Sequence, residues 1–133
     1  MLTLMLALVS VQEADLPPPL ERDFRPSVQC AEHLTDSGAR RRCLEDLLDA
    51  AEAQLDVALT AAREEAREIA LDMPGAGDTE AALEAAHAAW AAYRDAECSR
   101  RASLLLLGDH GDDERLDCLV TLTRARAAEL TDY

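Results

Sequence analysis

The side chains that could act in catalysis are few and scattered along this chain of 133 residues. Its three histidines, His33, His87 and His110, fall in different predicted elements, and no carboxylate-flanked histidine pair occurs at i,i+4. The sequence also lacks a nucleotide-binding glycine loop and a Gly-x-Ser-x-Gly elbow. Since no nucleophile, base and oxyanion donors are arranged together, we predict a protein that is not an enzyme and needs no cofactor.

One acidic segment, Asp109-His-Gly-Asp-Asp113, invites comparison with a calcium loop. It lacks the alternating acids and the distal glutamate of such a loop, so we predict a solvated polar turn over 108–113 and no metal site. Turns present their side chains freely to other molecules. Asp109, Asp112 and Asp113 are therefore the candidate residues for contact with a partner.

The chain contains four cysteines, Cys30, Cys43, Cys98 and Cys118. An even number in a short chain that is predicted to be exported indicates two disulfides, each stabilising the fold by about 2–4 kcal/mol. No C-x-x-C pair is present, which disfavours the alternative of a zinc site. Three pairings are possible. The predicted helices favour Cys30 with Cys43 and Cys98 with Cys118, since each pair flanks a short connection.

Acidic residues outnumber basic ones by 27 to 13, and the formal net charge is −14. Such a charge excludes nucleic acid as a plausible partner and repels anionic membranes. It would steer cationic proteins toward the surface, although the same excess also serves solubility alone.

The first residues form an apolar run, Met1 to Val11, without a single charge. The run is too short to span a bilayer and resembles the core of a secretory signal, although basic residues do not precede it. We predict a signal peptide over 1–14, with a buried N-terminal helix as the alternative. A proline-rich extended leader over 15–27 and one domain over 28–133 follow, which places the protein in the periplasm or outside the cell.

The composition, rich in Ala and Leu and poor in Gly, Pro and aromatic residues, predicts an all-α fold. A short helix over 28–34 precedes a long amphipathic helix over 39–72, and further helices run over 79–107 and from the end of the polar turn to about 130. Short connections make successive helices antiparallel. We therefore predict a small antiparallel bundle of three main helices, whose alanine-rich core requires two disulfides.

A cluster of distinctive residues lies on the third helix, with Trp90, Tyr93, Arg94 and Asp95 close to Cys98. Trp90 and Arg94 are one helical turn apart, so the guanidinium can lie over the indole ring and can also reach Asp49 or Asp56 on the long helix. Aromatic residues at helical spacing are usually part of a core, which favours a structural role for this cluster.

Two segments carry a family resemblance: W-A-A-Y-R-D-A-E-C at 90–98 and C-L-V-T-L-T-R-A-R-A-A-E-L at 118–130, which includes Thr123 and Arg126. They resemble the lysozyme inhibitor LprI N-terminal family, over about residues 28–131. Two features depart from the family pattern: Asp56 replaces an asparagine, and the stretch beginning at Gly108 replaces a Gly-Gly-Ser type segment.

This resemblance implies a helical, disulfide-bonded, exported domain of bacterial envelopes, with the named member inhibiting lysozyme. Together with the acidic surface, it leads to the hypothesis of an envelope protein that binds a basic protein such as lysozyme. The alternative is a structural or accessory, immunity-like envelope protein that binds another bacterial component. The sequence leaves the oligomeric state open.

Overall fold

The computed structural model describes residues 25–75, 77–105 and 109–132, so the predicted signal peptide and most of the predicted leader lie outside them. A short helix, α1 (Pro26–Gln29), and a 3₁₀ turn (Ala31–His33) precede three long helices. These are α2 (Ser37–Asp72), α3 (Thr79–Ser103) and α4 (Asp109–Thr131). The predicted all-α bundle is confirmed, and α4 packs against both α2 and α3.

Side-chain caps fix the starts of the two longest helices. Asp36 accepts a hydrogen bond from the Ala39 N–H at 2.9 Å at the start of α2, and Asp78 accepts one from Ala81 at 2.8 Å at the start of α3. Both contacts satisfy N–H groups that have no partner within the helix. Between α2 and α3 the chain reverses at Gly75, whose positive φ of 109° favours glycine.

The predicted polar turn over 108–113 is wrong, because residues from Asp109 onward already belong to α4 and α3 ends at Ser103. Acidic residues are favourable in the first turn of a helix, where they face the positive end of the helix dipole. Gly111 also fits this arrangement. A Cβ atom at this position would lie 3.3 Å from the Ala102 carbonyl oxygen, so glycine allows α4 to begin close to the end of α3.

The N-terminal end of the described chain is tied to α4 by Asp117. This carboxylate is only 2% exposed, and it accepts hydrogen bonds from the Ser27 N–H at 2.7 Å and from Arg25 at 3.4 Å. Pro26, which lies between these two residues in the chain, is buried. A buried carboxylate requires such donors, so Arg25 to Ser27 pack with the helices. The single helix predicted over 28–34 is divided between α1 and the 3₁₀ turn.

Two disulfides, Cys30–Cys43 and Cys98–Cys118, join the elements in the pairing that the sequence favours. The first connects the end of α1 to α2, and the second joins α3 to α4 with Leu48, Leu119 and Leu122 packed around it. Alanine and cysteine make up more than half of the buried apolar residues in the described part of the chain. The core is therefore thin, and cross-links supply stability that it lacks.

Among the residues described, none of the helices has the length and apolar character needed to cross a membrane.

We expect each disulfide to contribute measurably to stability. Replacing Cys98 and Cys118 together by alanine should lower the free energy of unfolding by about 3 kcal/mol. Replacing Cys30 and Cys43 together by alanine should lower it by about the same amount. Urea denaturation followed by circular dichroism measures both. Ser99→Ala is the control, since its hydroxyl bonds only to Asp95 O in its own helix. Unchanged urea midpoints in both double variants would contradict the role of the cross-links.

Candidate functional site

Trp90 lies where the three long helices meet. It packs against a cluster formed by Leu55 and Ala58 of α2 and Ala127 of α4, together with Leu130. The i,i+3 and i,i+4 spacing of apolar residues on each helix turns these side chains toward one another. The single tryptophan of the chain is therefore partly buried against this part of the core.

Arg94 links all three helices through its guanidinium group. The group lies 5.2 Å from the centroid of the Trp90 ring, as the sequence predicts. Its Nη1 donates to the fully buried Thr123 hydroxyl at 3.1 Å and lies 3.5 Å from Glu52 of α2, while Nε donates to Asp95 at 3.1 Å. The predicted acid partners, Asp49 and Asp56, were wrong, because the rotation of α2 brings Glu52 between them toward α3.

The second motif segment supplies another cation to the same cluster. The Arg126 guanidinium lies 6.0 Å from the Trp90 ring centroid and forms an ion pair with Glu129 at 3.0 Å. Thus Trp90, Arg94, Thr123 and Arg126 converge in space. Tyr93 does not join them, since it is 57% exposed.

His87 stacks on Trp90, and the two ring centroids lie 5.5 Å apart. Burial lowers the pKa of His87, and the nearby guanidinium groups of Arg126, Arg63 and Arg94 lower it further, against the opposite effect of Glu84. Its Nδ1 is buried without a hydrogen-bond partner among the described residues. Protonation would add a cation to a site that already holds two guanidinium groups, so the neutral form is favoured.

The pKa of Glu97 on α3 is also lowered, but for a carboxylate this favours the charged form. Hydrogen bonds from Arg100 at 2.7 Å and Arg101 at 3.0 Å lower the pKa of this carboxylate to about 2. It therefore stays ionised throughout the range in which His87 titrates.

The acidic residues predicted to contact a partner are placed in the first turns of α4. Asp112 is exposed and pairs with Arg41 at 3.1 Å, whereas Asp113 is largely buried and accepts a hydrogen bond from Arg40 Nε at 2.6 Å. The side chain of Asp109 lies outside the described part. Two of the three acids are thus held by arginines of α2 and do not project from a free loop.

A larger acidic surface lies on α2, which we call the acidic stripe. Its members are exposed and recur every three or four residues along one helix face: Glu45, Asp49, Glu52 and Asp56. In the described residues, Glu45, Asp49 and Asp56 form no ion pair, and no basic residue occurs between Cys43 and Ala62. From the sequence these acids are a solvated face, and only the helix packing indicates that Glu52 is the member with an ion-pair partner among the described residues, Arg94 of α3.

Within the described ranges, no group of His, Cys, Asp and Glu side chains is arranged to hold a metal ion. The four cysteines are all in disulfides.

We expect Arg94→Met to lower the free energy of unfolding by about 2 kcal/mol, because the buried Thr123 hydroxyl loses a charged donor and Trp90 loses its cation. Arg100→Met is the matched control. Its guanidinium is 59% exposed and pairs within α3, so its loss should change stability far less than the loss of Arg94. Thermal denaturation compares the two variants, and equal losses would contradict the linking role of Arg94.

We also expect His87 to make stability depend on pH. Because its pKa lies below the ordinary value of 6.5 in the folded chain, the unfolded chain binds the proton more readily. The contribution of neutral His87 is complete above pH 6.5 and declines as the pH falls toward the lowered folded-state pKa. The contribution of ionised Glu97 to stability is present above pH 4.5 and is lost only as the pH falls toward about 2.

An NMR titration should give the pKa of His87 directly, and His87→Gln should flatten the stability profile between pH 7 and pH 5. His110→Gln, which alters an exposed histidine at the start of α4, is the control and should retain the slope. A slope that survives in His87→Gln would assign the effect to another group.

Comparison with protein families identifies one match, to the model described as lysozyme inhibitor LprI, over residues 30–130. A comparison with curated proteins found no significant match, and a comparison with solved structures likewise found none. The matched range begins at Cys30 and contains both disulfides, the Trp90 cluster and the acidic stripe. Because the match covers most of the chain, this protein belongs to the lysozyme inhibitor LprI family.

Proposed function

We propose that this protein is exported, in periplasmic or secreted form, and inhibits lysozyme by direct contact. The family description names lysozyme inhibition, and the two disulfides agree with an extracellular or envelope compartment. Inhibition acts by covering the substrate cleft of the enzyme, so it requires no chemistry from the inhibitor.

The acidic stripe is the observation that carries the proposal. Most arginines of the described helices lie beside carboxylates of their own chain, as Arg63 does beside Glu84 and Arg67 beside Glu80. Glu45, Asp49 and Asp56 are left without such partners and form a continuous negative face along α2. Charged faces of this kind raise the association rate with a cationic partner and orient the encounter.

Asp112 extends this surface onto α4. It lines a shallow cleft with Glu45 and with two arginines, Arg41 and Arg115, and its side chain remains 68% exposed. Asp113 is less suited to direct contact, since its side chain is only 13% exposed and is held by Arg40. Of the acids predicted from the sequence, Asp112 is therefore the one we assign to the partner surface.

The direct test measures lysis of a cell-wall substrate by lysozyme, with and without the purified protein, at low and high salt. We expect inhibition at low salt that weakens as salt screens the charges. Neutralising the stripe in the triple variant Glu45→Gln, Asp49→Asn, Asp56→Asn should raise the inhibition constant about tenfold, mainly by slowing association.

The matched control is the triple variant Glu64→Gln, Glu68→Gln, Asp72→Asn, which changes the net charge equally on another part of α2. These residues are exposed as well, so neither variant disturbs the core. An equal loss of inhibition in the two variants would reduce the effect to net charge and contradict the assignment to the stripe. Absence of inhibition by the wild-type protein at low salt and micromolar concentration would contradict the function itself.

A further inference from the structure

One end of the bundle carries a pocket of about 360 Å³, lined by the 3₁₀ turn, α2, the end of α3 and the start of α4. Leu34, Leu44 and Leu105 contribute its apolar side chains. Leu34 is 69% exposed and Leu105 is 44% exposed, although both are large hydrophobic residues. Adjacent exposed leucines on a protein with so much charge mark a surface that other molecules contact.

Carboxylates border these leucines. Three carboxylates line the pocket, those of Asp113, Glu114 and Asp117, and the basic residues in its lining are Arg40 and His110. Arg40 donates to Oδ2 of Asp113 and to the Leu34 carbonyl oxygen, while Oδ1 of Asp113 is buried and has no hydrogen-bond partner in the described residues. The pocket therefore combines an apolar wall with an excess of negative charge, a combination that suits a cation carried on an aliphatic chain.

Glu114 is the carboxylate that a ligand can reach. Its side chain is 28% exposed, whereas that of Asp117 is only 3% exposed. The nearest cation to Glu114 is Arg25 at 4.0 Å, whose own side chain is 64% exposed and also approaches Asp117 at 3.4 Å. These acids thus already attract one exposed guanidinium group, and its long contacts leave Glu114 incompletely neutralised.

We propose that this pocket binds a lysine or arginine side chain presented by a basic protein partner. The aliphatic stem packs on Leu34 and Leu105, and the cationic head contacts Glu114. Desolvated basic and aromatic side chains are the residues that most often dominate interface energies, so one such anchor adds specificity to the general attraction of the acidic stripe. The identity of the partner rests on the proposed function, whereas the chemistry of the pocket does not.

The first experiment titrates the purified chain with n-butylammonium, which reproduces the lysine side chain, and follows backbone amides by NMR. We expect saturable shifts at Leu34, Leu105 and Glu114 that weaken with salt. The neutral analogue n-butanol should bind more weakly because it lacks the charge. Shifts that are absent, or equal for the two probes, would overturn the proposal.

Two substitutions test the assignment in opposite directions. Glu114→Gln should weaken n-butylammonium binding about twofold to fivefold, the upper part of the range for losing a partly exposed ion pair. Arg25→Gln should strengthen it, because the competing guanidinium is removed. A gain of binding cannot arise from misfolding. Glu32→Gln, an exposed acid beside the pocket but not in it, is the charge-matched control, and a loss equal to that of Glu114→Gln would overturn the proposal.

The same variants separate this inference from the proposed function. If Glu114→Gln also weakens lysozyme inhibition, the pocket is the anchor for that partner. Probe binding without any lysozyme inhibition would support the pocket chemistry while rejecting lysozyme as the partner. Full inhibition by Glu114→Gln would leave the proposed function standing and refute the pocket as its anchor.

Discussion

A thin apolar core is the constraint on which the rest of this structure depends. Most buried side chains are small, so their burial stabilises the bundle less than leucine or phenylalanine would. The helices are held instead by two covalent bonds and by a few polar links that cross between them. Arg94 is the most connected of these links, because it contacts an aromatic ring, a buried hydroxyl and two carboxylates on three helices.

These polar links also determine where charge remains on the surface. Arginines are outnumbered, and those between helices are held by particular acids, such as Asp113 beside Arg40 and Glu84 beside Arg63. The remaining acids are concentrated along the outer face of α2, which carries no basic residue of its own between Cys43 and Ala62. The stabilising ion pairs and the negative contact surface are thus two consequences of one charge distribution.

A charged contact surface on a rigid, cross-linked bundle is compatible with inhibition by steric cover. Preorganised helices lose little conformational entropy when they bind, so modest contacts suffice for affinity. The pocket beside Glu114 offers depth that the flat helix face lacks, and it would add a specific anchor to general electrostatic attraction.

The sequence alone determined the all-α class with three long helices, favoured the disulfide pairing that is found, and indicated the Trp90–Arg94 contact and the family, because these depend on local periodicity and on short motif spacing. Tertiary packing decided the rest. The start of α4 at Asp109 depends on arginines of α2 and on close approach to α3, which local turn propensities do not contain. The rotation of α2 selected Glu52 as the partner of Arg94, and the burial of Asp117 follows from contacts about 90 residues apart in the chain.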